Sequence, residues 1–383
     1  MARKESDEPA QPTTLSELRA VTPALSDGHY FNFGAHGPSP RPVVEAAEAA
    51  HHAHEYEAPI HDDPYGMAGH EAEKTQERIA AFVGASPDEI ALTESTTASV
   101  NAIAGAIDWG PGDVVVRTDI EHPAGILPWR RLKRNGVEVR VVETKRGRLD
   151  REAYIEAVSD AKLVCFSALT WTHGTVLPVR ELVDIAHDAG ALVLVDAVQV
   201  PGQLPLDVTE WGADAVAAAG HKWLLGLWGS GFMYVDSDVA DRFHPRSVGY
   251  RSVTEPTGDG FEFAAGAQRF EVSTTNTAPN AALREAIGII DTIGIDRITQ
   301  RVKQLATQLA DSVPEKRLYS PKSPESGLVT IDVDDPEATV ARLAKENIIV
   351  RSLPEPNGIR ASVHAVNTPS DIEALVDALR SEW

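Results

Sequence analysis

The sequence predicts an α/β protein: a mainly parallel central sheet covered by helices, followed by a smaller α+β C-terminal domain. Three observations lead there. Apolar, β-rich runs alternate with helical patterns through the middle of the chain. These runs are continuously apolar instead of alternating, as strands buried on both faces are. From about Asp238 the pattern breaks into a long Gly-, Pro- and Thr-rich stretch, after which helices and short strands mix differently. A chain of 383 residues, 43% hydrophobic and 6% aromatic, is long enough for one large core and a second, smaller one.

Taken in order, EIALT is followed by a Ser/Thr-led helix, ESTTASVNAIAGAI; DVVVRT by PAGILPWRRLKRNG; and EVRVVET by LDREAYIEAV. The series continues with KLVCFSAL, VRELVDIAHDAG, ALVLVDAV, DAVAAAG and SGFMYV, which predicts a main sheet of about seven strands. The stretch HPRSVGYRSVTEPTGDGFEFAAGAQRFEVSTTNTAPN is too long for a plain connection and reads as functional or covered by a partner. A strong helical run from AALREAIGII to QLADSV, then GLVTIDV, ATVARLAKEN, IIVRSL, GIRASVH and PSDIEALVDALRSEW complete the tail. The predicted division is an unstructured segment over 1–20, a large domain over 21–265, and a small domain with its linking helix over 266–383. Residues 21–45 are candidates to pack with the small domain.

Composition narrows the function. Asp and Glu number 57 against 35 Lys and Arg, a formal charge of -22, so the long-range field repels nucleic acid and anionic membrane surfaces. Acid spread along the chain, with Arg favoured over Lys, suggests a halophilic protein. No apolar window reaches the roughly 18 residues of a membrane span, and the start has no apolar signal core, so the expected location is cytoplasmic. Cys165 is the single cysteine and lies within an apolar run, which reads as a buried strand residue and leaves no internal disulfide. HHAHEY puts His51 and His54 at helical spacing, but no ligand pattern completes a metal site, so a solvated helix face is expected and no metal.

The chemistry gathers at two strand ends. Asp196 ends ALVLVD, with Gln199 three positions on; ligands bind beyond the carboxyl ends of strands in open α/β sheets. Taken alone, Asp196 could instead cap a helix or sit in a turn. Lys222 lies 26 positions later in AVAAAGHKWLLG, beside His221, at the tip of another apolar strand. An apolar pocket lowers an amine's pKa and makes it a usable nucleophile, although a surface loop lysine is the plain alternative. Together the pair are the parts that hold pyridoxal phosphate: a Schiff-base lysine and a carboxylate for the pyridinium nitrogen. Ser95, Thr96 and Thr97 lead a helix whose free N–H groups suit a phosphate, or form a simple cap.

From NFGAHGPSP to IRASVHAVNT, and above all in DAVQ and GHKW, the chain resembles the class V aminotransferase family of fold-type I pyridoxal-phosphate enzymes. That family contains cysteine desulfurases, cystine C–S lyases and isopenicillin-N-epimerase-like proteins. The resemblance implies that Lys222 holds the cofactor covalently and carries protons, and that His221 contacts the phosphate along with Thr96 and Thr97. It implies that Asp196 pairs with the pyridine nitrogen and Gln199 with the ring hydroxyl, that His122 stacks on the ring and helps move protons, and that Arg360 grips the substrate carboxylate. Thr274, in EVSTTNTAP, matches the segment that reaches the neighbouring subunit's phosphate, which implies a homodimer with shared active sites.

The departures bear on the reaction. Desulfurases of groups I and II carry a catalytic cysteine shortly before the carboxylate-binding arginine; IIVRSLPEPNGIRAS has none. Trp171 stands where desulfurases have an Asn, nearer the C–S lyase and epimerase-like branch, and Ala219 replaces a phosphate-binding Ser or Thr. NFGAHGPSP reads either as a substrate-bordering loop or as a Gly/Pro turn, and Trp223 and Trp228 as core packing. The expected function is aminotransferase or C–S lyase/epimerase-type chemistry on an α-amino acid. Cysteine desulfuration is the alternative, and a non-catalytic binding protein of this fold a second one. A sulfur-accepting partner is left open.

Overall fold

A computed structural model describes residues 11–382. Its main sheet has seven strands: β1 Ile90–Thr93, β2 Val114–Thr118, β3 Glu138–Val142, β4 Leu163–Ser167, β5 Leu192–Asp196, β6 Ala215–Ala219 and β7 Gly231–Val235. Their order is β1-β7-β6-β5-β4-β2-β3, with only β7 antiparallel to its neighbours. Continuous apolar runs have a direct cause here: alternate residues of one strand enter two different cores. Val164 and Phe166 of β4 face one core with Val193 and Val195 of β5, while Leu163 and Cys165 face the other with Leu192 and Leu194.

Helices α1 Arg41–His52 and α2 Pro64–Val83 pack against the long helix α4 Thr277–Ile293 on the first face. On the second lies α3 Thr96–Gly105, with Val100 and Ile103 buried. Because the parallel strands share one direction, the segments after β1, β2, β4, β5 and β6 emerge on one edge of the sheet. That is where an open α/β sheet binds ligands.

The small domain is a three-stranded antiparallel sheet, β8 Leu328–Ile331, β9 Arg351–Leu353 and β10 Gly358–Ser362, in the order β8-β10-β9. Helices α5 Ile295–Ser312, α6 Pro336–Lys345 and α7 Pro369–Leu379 complete its core. The linking helix differs from expectation. Buried Leu283, Ala286, Ile287 and Ile290 of α4 belong to the large core, and the small core begins only at Leu305.

The N-terminal segment also crosses between the domains. His29–Tyr30 pairs in parallel with Ile348–Ile349, Asn32 bridges to Ser362, and the chain then returns to the large domain. Of the segment expected to be unstructured, residues 1–10 lie outside the described residues. Leu15–Ala20, however, forms a helix with Leu18 buried. Arg19 and His29 reach Asp371 of α7 at 3.0 and 2.6 Å, and these partners are what order the segment. No helix among the described residues is long and apolar enough to cross a membrane.

Phe33 joins these parts. It is fully buried, edge-on to Tyr30 at 5.0 Å and stacked on His364 at 4.8 Å. Replacing it by Ala is expected to lower unfolding free energy by about 3–5 kcal/mol, measured by denaturant titration.

Candidate active site

Lys222 sits just beyond β6, whose five residues are all buried, and is followed by buried Trp223, Leu224 and Leu225. Burial in this apolar surround pushes the Lys222 amine down to about 7, against the pull of Asp196, with Arg360 and Arg351 adding repulsion. The NFGAHGPSP loop rests on this turn. The Gly37 amide donates to the His221 carbonyl at 2.8 Å, and a Cβ at Gly37 would lie 2.0 Å from the Lys222 carbonyl oxygen. A residue without a side chain is therefore required at that contact.

Asp196 is the last residue of β5, buried, with Oδ1 accepting from the Val198 amide at 2.9 Å. Burial raises its carboxyl above the ordinary range, with the Val198 amide and Lys222 opposing. Gln199 is a bridge: Nε2 donates to the Gly34 carbonyl at 2.9 Å and Oε1 accepts from Trp223 Nε1 at 2.8 Å. One amide hydrogen stays free for a ligand.

His122 follows β2. Its Nδ1 accepts from the Ala124 amide at 3.2 Å, and burial, then Lys222 and the two arginines, bring it down to about 4. The ring is neutral at pH 7, with its proton on Nε2. It meets Trp171 edge-on at 5.5 Å, and the Trp171 indole is held by Nε1 donating to the Ile120 carbonyl at 3.1 Å. His221 is lowered to about 4, first by burial, and stacks on Trp228 at 4.8 Å. Trp228 is not the core residue expected: it is 66% exposed, and its N–H donates to His36 Nδ1 at 2.7 Å.

Arg360, on β10, is fully buried. Nη1 donates to the Trp171 carbonyl at 2.8 Å, while Nε and Nη2 have no partner. Thr96 Oγ1 is likewise buried without a partner at the start of α3, whereas Thr97 is exposed. Thr274 stands apart: its hydroxyl and amide bond the Tyr250 hydroxyl, not the other candidate residues. Cys165 is buried in β4 with its thiol well above the ordinary range, chiefly from burial. His51 ends a surface helix, and among the described residues no cluster of three metal-ligating side chains occurs.

Two further residues border the candidate site without having been named individually from the sequence. Arg351 lies directly across from Arg360 in the β9–β10 register, and its guanidinium is 5.7 Å from the Trp171 ring, as that of Arg360 is 5.9 Å away. The only signal was a cation closing the apolar run IIVR. Gly34 is the other: an added Cβ would meet Arg360 Nη2 and Ser362 Oγ at 2.9 Å, so its bare backbone is what lets the loop pack directly against the guanidinium.

A buried carboxylate with no cation bonded to it, an unpartnered hydroxyl at a helix N-terminus and a guanidinium with open donors are what pyridoxal phosphate and an amino-acid carboxylate need. Fold and site together define a pyridoxal-phosphate enzyme built on an α/β sheet. Residues 29–375 match the family model Aminotransferase class-V, and the chain belongs to that family. A relative described as a probable cysteine desulfurase, from Methanothermobacter thermautotrophicus, is 33% identical, covering 95% of this chain and 96% of its own. The apo cysteine desulfurase of Thermococcus onnurineus superposes with a TM-score of 0.87 at 29% identity, over 95% of this chain and 97% of that one. The cystine C–S lyase C-DES, in complex with its reaction product cysteine persulfide, superposes with a TM-score of 0.86 at 28% identity, over 94% and 98%.

The neutral amine is the nucleophile that captures an aldehyde. For cofactor-free protein, the rate of pyridoxal phosphate capture is expected to rise with pH through about 7 and level off above it. Stopped-flow absorbance measures this, and Lys222→Ala abolishes the covalent visible band.

Proposed function

We propose that the protein is a C–S lyase that cleaves cystine, or a closely similar amino acid with a second carboxylate, by β-elimination. The carrying observation is the pair Arg360 and Arg351, set opposite each other with both guanidiniums over Trp171. Open donors on Arg360 suit the α-carboxylate, and Arg351 supplies a second cation that an ordinary monocarboxylic amino acid leaves unused.

When bound, pyridoxal phosphate supplies an aldehyde that condenses with amines and a ring that accepts electrons. Lys222 would be the group that attaches it, and Asp196 would pair with the ring nitrogen. Neutral His122 would cover the ring, and Thr96, Thr97 and His221 would hold the phosphate. Once the substrate amine has taken its place on the cofactor, the freed Lys222 Nζ would take the Cα proton, and the Cβ–S bond would break with sulfur leaving with the electron pair. With one water, cystine gives cysteine persulfide, pyruvate and ammonia. Trp171 and Arg360 keep the substrate against the ring and exclude water from it. Thr274 serves the neighbouring active site in a homodimer, a reading supported by the exposed Trp228, Tyr250 and Phe261. A chain found monomeric by light scattering while active contradicts the shared site.

Cysteine desulfuration is the second reading, favoured by the desulfurase descriptions of the relatives. Against it stands the absence of any cysteine in IIVRSLPEPNGIRAS, together with burial of the Cys165 thiol. Persulfide transfer needs a mobile thiolate.

Incubated with an amino-acid panel, the holoenzyme is expected to form pyruvate and persulfide from cystine, with Cys165→Ala equally active. Alanine with sulfide from cysteine is the outcome that overturns the lyase reading. Arg351→Met is expected to raise KM for cystine roughly tenfold, about 1.4 kcal/mol, with little effect on a monocarboxylic substrate analogue.

A further inference from the structure

Glu121, immediately before His122, is a buried carboxylate to which the chemistry above gives no task. It sits against the ends of two strands. Oε1 accepts from Thr118 Oγ1 at 2.5 Å, on the last residue of β2, and from the Ser167 amide at 3.1 Å, on the last residue of β4. Oε2 accepts from Ser167 Oγ at 2.5 Å. Ser167 is in turn the register partner of Asp196 across β4 and β5. The turn that carries His122 is thus tied to the same sheet edge that carries Asp196.

We propose that Glu121 is a positioning residue for His122, its carboxylate pinning the turn to β2 and β4 and so setting where the imidazole lies relative to Lys222. Among the described residues no cation bonds this carboxylate, and three donors compensate it. Such an anchor costs more than an apolar packing residue, and its directional hydrogen bonds fix the placement of the turn. The imidazole has few other restraints: one backbone amide on Nδ1 and the edge of Trp171.

The anchor also carries a charge that changes near neutrality. Burial raises the Glu121 carboxyl to about 7, with Ser167 and Thr118 opposing and Asp196 adding to the rise. The other ionisable groups facing it are Arg117 of β2 and Cys165 of β4. Above about 7 the carboxylate accepts all three hydrogen bonds. Below it, the carboxyl must donate one, and either Ser167 Oγ or Thr118 Oγ1 has to give up its own donation. The His122 turn therefore loosens as pH falls.

The inference rests on pyridoxal phosphate lying under His122, and its test separates the two claims. Visible circular dichroism of substrate-free holoenzyme, recorded against pH, is compared for wild type, Glu121→Gln and Glu121→Ala. A wild-type protein that never acquires a visible band overturns the cofactor reading and this one with it. If the band forms, the wild-type signal is expected to change through about pH 7. Glu121→Gln puts a donor where one acceptor was, as the protonated carboxyl does, and cannot ionise, so its signal is expected to be flat over the same range and to match the wild type's low-pH value. Glu121→Ala is expected to lower kcat roughly tenfold or more with KM nearly unchanged, since Arg360 still binds substrate. A Glu121→Gln profile that follows the wild type overturns the proposal. So does Glu121→Ala with unchanged kcat and dichroism, and should that variant fail to fold, the Gln profile alone decides.

Discussion

An amine kept out of water is the constraint to which the rest of the site answers. The Lys222 amine is lowered because β6 brings it through an all-buried alanine and valine strand into a wall of Trp223, Leu224 and Leu225. A charge in such a place is costly unless a partner balances it. Asp196 is near enough to pull on the proton and not near enough to hold it, which leaves the amine at about 7 and not at its solution value. Arg360 and Arg351 shift the balance further toward the neutral form, and they also repel a proton from His122. The two cations proposed to bind an anionic substrate therefore also favour the neutral amine and the neutral imidazole.

Keeping water away takes pieces from three distant parts of the chain, and Gln199 is where they are joined. One amide atom holds the N-terminal loop at Gly34 and the other holds Trp223, next to the lysine. His364, from the small domain, completes the wall by stacking on Phe33 and donating from Nε2 to the Trp223 carbonyl at 3.1 Å. Arg360 acts across the domains in the same way. One of its nitrogens is spent on the Trp171 carbonyl, and that bond aims the others. In this arrangement, domain packing and ligand geometry are set by the same side chains.

Much of this was legible in the sequence because it depends on local pattern. Runs such as VLVD and VAAAG mark strands buried on both faces, and the polar residue ending each one is forced to the ligand-binding edge. Asp196 and Lys222 could be found that way, whereas His122 came only from the resemblance of its motif to the family's. Arg351 could not, because its importance comes from strand register: only the β9–β10 pairing sets it opposite Arg360. Glu121 was hidden by its neighbour, since nothing local indicates that its partners are Thr118 and Ser167. Trp228 misled for the opposite reason, as an indole in an apolar run reads as core until the turn carrying it is seen to face outward. The linking helix α4 misled likewise, because periodicity identifies a buried face without saying which core buries it.

The pairing of His29–Tyr30 with Ile348–Ile349 has a consequence for how the molecule comes together. Asp371 receives Arg19 from 352 positions away and His29 from 342, and Asn32 meets Ser362 beside them. Closing loops of that length is entropically costly and slow compared with forming the sheet, whose neighbours are mostly close in sequence. The large domain's sheet can therefore form while the loop at Gly34 and Gly37 still waits for its strand partner. Until that loop docks, the Lys222 turn lacks its Gly37 contact, and the burial that lowers the amine is incomplete. Chemical competence is on this account the last property the folding chain acquires, made by the meeting of its two ends.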